Sequence, residues 1–420
     1  MSKNGRGKQP NIRPVTRIEL PEGNIRLRMI LIVLLLSIAV VAMVFGLVSA
    51  LKTEPGWQTV SVTSDELNCS QDFVLQYEFG VSGMDATAEY RNVSRLYTEL
   101  TEKGFQIFTA DAQVEGLANL WYLNRHPNEV VEVPSALYRA LEQFAEHNRR
   151  NLYLGPVYDC YNSVFLSETS AEAANYDPAR NPELAEYVTQ TAKYCVDPEM
   201  IRVELLDNGQ VTLVISETYL SYARENDIET FLDFGWMTNA FIADYMADAL
   251  AENGFTKGYL ASYDGFTRNL DDRGNSYSFN LFDRVEADIY MPARLNYSMS
   301  LSIVYLRNYP LSDQDRWHYF AYDDGEITMV MASPDDGMNR SATDNLVVYA
   351  SDTGCAEILL KAAPVFFTEE LDTATLAEWK TEGIWSIWGD GKSLCYNQKD
   401  AALELLAESG GTEYVLKPVD

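Results

Sequence analysis

From Val74 onward, apolar and polar positions alternate with periods that mark packed helices and strands. Tyr90, Val93, Leu96, Tyr97 and Leu100 fall on one face of a helix predicted over Thr87–Lys103, with Gly104 as its C-cap. Pro134-Ser135 opens a second helix that carries Leu137, Leu141, Phe144 and Ala145 on one face. A loop is expected at Asp177–Asn181 and a short helix at Glu183–Ala192. Ile201–Leu206 and Val211–Ile215 are β-rich runs joined by Asp207-Asn208-Gly209, a hairpin signal. A helix over Trp236–Glu252 stops at Asn253-Gly254, and Lys257–Ser262 follows as a strand. Further strands are expected at 286–291, 300–307, 317–322, 326–331 and 345–350, then a helix at Gly354–Ala363. Ile384–Trp388 and Ser393–Tyr396 flank Gly389-Asp390-Gly391 as a terminal hairpin. Helices and strands mix without strict βαβ alternation, which predicts an α+β fold. Gly391-Lys392-Ser393 looks like the end of a phosphate-binding loop, but Ser386 stands where that motif needs glycine, and a strand follows.

One segment breaks the pattern. Met29 to Leu51 is an uncharged run of 23 residues. As a helix it would rise roughly 35 Å, enough for a hydrocarbon core of roughly 30 Å. The tail 1–28 holds Lys3, Arg6, Lys8, Arg13, Arg17, Arg26 and Arg28 against Glu19 and Glu22. That bias predicts a cytoplasmic tail, a transmembrane helix at 29–51, and everything beyond it outside the cytoplasm. Val48-Ser49-Ala50 resembles a signal-peptidase site, yet the run exceeds the roughly 7–15 apolar residues of a cleaved leader. Residues 52–72 read as a polar stalk, and 73–420 as the main domain.

Charge narrows the partners. The net charge is −30, and the tail is basic, so the domain beyond the run is more acidic still. Such a surface repels nucleic acid, which is excluded as a partner. Cys69, Cys160, Cys195, Cys355 and Cys395 form no CxxC pair, so a zinc ribbon is excluded. Cys160–Cys195 and Cys355–Cys395 are candidate disulfides outside the cytoplasm, with buried free thiols as the alternative. His126, His147 and His318 are too scattered for a histidine-based metal site.

Several spacings together resemble the ApbE family, the FAD:protein FMN transferases. That family carries a DxGGxxKGxxxD segment after a strand and at a helix start. Here Leu232-Asp233-Phe234-Gly235-Trp236-Met237-Thr238-Asn239-Ala240-Phe241-Ile242-Ala243-Asp244 stands in that context. The next strand ends in Asp264-Gly265, where the family has Gly-Gly. Val330-Met331-Ala332-Ser333-Pro334-Asp335-Asp336-Gly337 is similar to its His-x-x-Asp-Pro-x-x-Gly run. Asn345–Ala350, then Ala356-Glu357-Ile358-Leu359-Leu360-Lys361, resembles the late strand and the helix that carries Asp and Thr four apart. The likeness spans about 74–400. It implies an ApbE-like mixed sheet with packed helices behind one transmembrane helix. It also implies an FAD site at Asp233, Gly235, Asp244, Ser333 and Pro334, and a magnesium ligand at Glu357. In active relatives a threonine of a partner flavoprotein attacks the FAD diphosphate and AMP leaves. Members are commonly membrane-anchored and act outside the cytoplasm.

The chain departs from the family where that chemistry needs space and charge. Trp236 replaces the second motif glycine, Asn239 the lysine, and Ala240 the glycine after it. Val330 replaces the histidine, Ser333 its aspartate, and Lys361 the threonine. An ammonium four residues after Glu357 shares its helix face and is expected to pair with the carboxylate in place of the ion. The conserved-type residues also have a purely structural reading. Asp233 and Gly235 would shape a turn, Asp244 would sit on a helix surface, and Pro334 and Gly337 would make a turn. Three functions follow: a non-catalytic relative that binds a ligand or a flavoprotein of an electron-transfer complex; an active FMN transferase; and a cell-envelope interaction protein without flavin.

Overall fold

The computed structural model describes residues 53–406 and 413–419. The expected tail 1–28 and membrane helix 29–51 lie outside the described residues. Among the described residues no helix is long and apolar enough to cross a membrane.

The strands are β1 (Gly56–Val60), β2 (Phe73–Phe79), β3 (Val130–Glu132), β4 (Ile201–Leu205), β5 (Gln210–Ile215) and β6 (Gly258–Ser262). They continue as β7 (Phe266–Asn269), β8 (Tyr277–Val285), β9 (Asp288–Tyr297), β10 (Ser302–Arg307), β11 (Tyr319–Ala321) and β12 (Ile327–Met329). The last are β13 (Asn345–Ala350), β14 (Ile384–Asp390), β15 (Ser393–Tyr396), β16 (Leu403–Leu405) and β17 (Val415–Pro418). The helices are α1 (Ala86–Phe108), α2 (Leu120–Arg125), α3 (Ser135–Glu146), α4 (Gly155–Leu166) and α5 (Ser170–Tyr176). They end with α6 (Pro182–Val196), α7 (Glu217–Glu225), α8 (Thr238–Glu252), α9 (Cys355–Phe366) and α10 (Thr373–Trp379).

A nine-stranded sheet in the order β1-β2-β6-β7-β10-β13-β14-β15-β17 organises the domain. Its pairs are antiparallel except β15–β17. Phe73, Leu75, Tyr77 and Phe79 alternate with more exposed residues along β2, so one face of that strand is buried. β10 and β13 are buried at every position, because both faces are covered. On one face Val304, Leu306, Leu346 and Val348 join the core formed with α1, α8 and α9. On the other, Ile303, Tyr305, Val347 and Tyr349 pack with Leu281, Ala293 and Leu295 from the β16-β9-β8 sheet. Each fully buried leucine or phenylalanine contributes about 1.5–3 kcal/mol.

The structure corrects several expectations. The stalk at 52–72 holds β1, the edge of the main sheet, with Gln58 opposite Tyr77. Ser94 Oγ donates to Ser61 O at 2.7 Å and Cys69 N to Thr101 O at 3.3 Å, so the segment lies along α1. Gly104 is no C-cap: α1 continues to Phe108, and a Cβ on Gly104 would lie 2.9 Å from Ile242 Cγ2. Glycine there permits close approach of α1 and α8. The strand expected at 286–291 forms from Asp288 as the start of β9, while Glu286, at φ 58°, belongs to the β8–β9 turn. No strand precedes Asp233; Asn124 takes the role of a ladder by accepting from Phe231 N and Leu232 N and donating to Leu232 O. The 384–396 hairpin is not terminal, since β17 adds to it in parallel. All five cysteines are free, so neither disulfide forms, and burial pushes the thiols of Cys69, Cys160 and Cys195 up to about 12.

Candidate functional site

The motif at 233–244 begins as a turn and ends inside a helix. Asp233 Oδ1 accepts from Gly235 N at 2.8 Å, while Asp233 N donates to Leu152 O at 2.9 Å. Gly235 has φ 52°, and a Cβ there would sit 2.7 Å from Tyr158 Cδ2, so both backbone and space require glycine. Burial pushes the Asp233 carboxyl up to about 7; the Gly235 N–H opposes this, and Asp111 and Asp159 add to it. Asp159 is pushed up to about 6 by burial and by Asp111. These two acidic neighbours were not singled out from the sequence, because they lie on segments remote from the motif.

Trp236 follows the turn and is buried, edge-on to Phe367 at 5.4 Å between ring centroids. With Asp264, Phe266, His318 and Val330 it lines a void of about 20 Å³. Asn239 Nδ2 donates to Asp264 Oδ2 at 2.9 Å. Trp236 and Val330 therefore converge, and Asn239 reaches them through Asp264. Burial holds the Asp264 carboxyl above its ordinary range, against the opposing charges of His318 and Arg307. The void has room for about one water molecule. A diphosphate and its cation do not fit among these side chains.

The remaining candidates do not line this void. Ser333 O accepts from Gly337 N, and Ser333 N donates to Met338 O, both at 2.9 Å. Ser333, Pro334 and Gly337 thus form a turn, with Gly337 at φ 74° against Val188. Asp244 is not on a helix surface: its carboxylate accepts from Cys355 N and Ala356 N, each at 2.8 Å, and pairs with Arg268. It caps the N-terminus of α9, and Gly354 is required because a Cβ would come within 2.3 Å of Asp244 Oδ2. Burial raises the Asp244 carboxyl's pKa, with Arg268 opposing.

Glu357, in the first turn of α9, meets His147, with Glu357 Oε2 2.7 Å from His147 Nε2. Lys361 Nζ pairs with Glu357 at 4.0 Å, as expected, and more closely with Glu382 at 2.6 Å. His147 was missed in the sequence; its only signal was its place directly after α3. Asp244, Asp248, Glu252 and Asp352 border a separate cleft of about 630 Å³. Among the described residues no group of three or more His, Cys, Asp or Glu side chains is placed to hold a metal ion.

No sequence-family model matches the chain, and no curated protein matches it. Solved structures do. An ApbE protein from Thermotoga maritima superimposes with a TM-score of 0.54 at 12% identity, covering 84% of this chain and 97% of that one. The fold is ApbE-like. The flavin transferase ApbE from Vibrio cholerae gives a TM-score of 0.51 at 11% identity over 85% of this chain and 97% of its own. A point variant of that transferase gives 0.50 at 12%, over 85% and 98%. The ApbE-like architecture accounts for why motif-like segments so far apart in sequence meet beside β6 and β7.

Proposed function

We propose that this chain is a non-catalytic relative of the FAD:protein FMN transferases, held at a membrane by residues 29–51 with its main domain outside the cytoplasm. It acts by binding a ligand or partner, with a flavoprotein of an electron-transfer complex as the first candidate. The observation that carries this reading is the void of about 20 Å³ where Trp236 and Val330 meet. FMN transfer needs a cation to offset phosphate charge and backbone N–H groups free to approach it. Trp236 occupies the approach, Asn239 supplies no positive charge, and Glu357 is engaged by His147.

The experiment is incubation with FAD, magnesium and flavoprotein acceptors, followed by intact-mass measurement of each acceptor. The proposal expects no covalent FMN increment on any of them. An increment that depends on this chain and on magnesium establishes the active-transferase reading in its place.

A further inference from the structure

The face of β6, β7 and β10 turned away from the helices borders a solvent-open trough of about 700 Å³ between the main sheet and β8. None of its lining residues is acidic, in a chain with 62 Asp and Glu. Trp57, Tyr259, Tyr277 and Tyr297 contribute aromatic surface, and Trp57 is 44% exposed at the rim. Trp57 meets Tyr277 edge-on at 5.9 Å, and Tyr277 stacks on Tyr297 at 5.7 Å. These rings touch one another and leave no parallel slot between them for a planar heterocycle. The trough is also built in advance. Asp271, fully buried, accepts from Tyr277 Oη at 2.6 Å and Asn275 Nδ2 at 2.8 Å, which fixes both side chains at the wall. Arg307 closes the inner end; it pairs with Asp315 at 2.6 Å, while its buried Nε has no partner among the described residues.

We propose that this trough binds an uncharged saccharide chain. Aromatic faces accept the C–H face of a sugar ring, while neighbouring amides and hydroxyls such as Asn275, Asn280 and Ser278 meet its hydroxyl groups. A cation is disfavoured by the absence of carboxylates and the presence of Arg307. Ser276 to Phe282 along β8 extends roughly 20 Å, a length suited to a chain and not to a single ring. The proposal goes beyond the loss of FMN transfer and does not depend on it, because the trough and the Trp236 void share only Tyr305 among their lining residues.

The test is isothermal titration of the full chain, in a sugar-free detergent, with cellotetraose, maltotetraose and the tetramer of N-acetylglucosamine. At least one binds, Trp57→Ala and Tyr259→Ala each weaken it about tenfold or more, and Trp57→Phe retains it. Asn280→Ala, at an exposed position, provides a variant that leaves the fold untouched and lowers affinity by a smaller factor. Absence of binding to all three, or binding unchanged in the Trp57, Tyr259 and Asn280 variants, overturns the proposal. So does displacement of the bound saccharide by FAD with affinity that exceeds the saccharide's own.

Discussion

Two hollows touch the same two strands, β7 and β10, and they differ by more than an order of magnitude in volume. On the helix side, Phe266 of β7 and Leu306 of β10 face Trp236 and Val330 across about 20 Å³. On the far side, Thr267 and Arg307 of those strands border the trough of about 700 Å³. The backbone frame is common to both, so side-chain volume on one face and the stand-off of the β8–β9 hairpin on the other set the difference. In the proposed reading, Trp236, Asp264 and Val330 converge with no space between them for a diphosphate. A cleft elsewhere on the same sheet stays open.

The sharpest way to break this contrast is to empty the smaller hollow. Trp236→Gly removes the indole from the core and is expected to destabilise the domain by about 4 kcal/mol in urea denaturation. It should still yield no FMN transfer, since Val330 and the Glu357–His147 contact remain. Asp244→Ala comes next, at about 3 kcal/mol by the same measurement, because it uncaps α9 and leaves Arg268 without its close partner in a largely buried setting. If Asp244 were an FAD ligand in a tolerant surface site, stability would hardly change. His147→Ala should cost about 1 kcal/mol, and it frees Glu357 without creating a magnesium site, which titration with magnesium checks.

A pH dependence is the remaining test. The folded-state pKa of Asp233 lies near 7, above the ordinary carboxylate value, so the native state holds a proton that the unfolded chain has released. Its contribution to stability is present at low pH and is lost as pH rises towards about 7. Asp233→Asn, which keeps the acceptor for Gly235 N, should flatten that decline in denaturation midpoints measured from pH 4.5 to 8.

Much of the fold was legible where local pattern and tertiary packing agree. The Asn208-Gly209 hairpin forms with φ values of 62° and 73°, and α8 ends at the expected Asn253-Gly254. β13 spans Asn345–Ala350 as expected. Pattern failed where a distant residue decides the local structure. β1 is an edge strand paired with β2, and Val60 alone of its five residues is buried. The stretch before Asp233 is set by Asn124, 108 positions from Leu232. In the candidate site, the burial of Trp236 is in keeping with its large apolar ring. The partner of Glu357 was not legible: His147 lies 210 positions away and belongs to no motif.

Isothermal titration of the full chain with FAD in the presence and absence of magnesium tests the central claim most directly. The filled hollow predicts no magnesium-dependent heat of binding and no AMP in the cell afterwards. Magnesium-dependent binding followed by release of AMP would contradict it, and would require Trp236 to leave the position it holds beside Phe367.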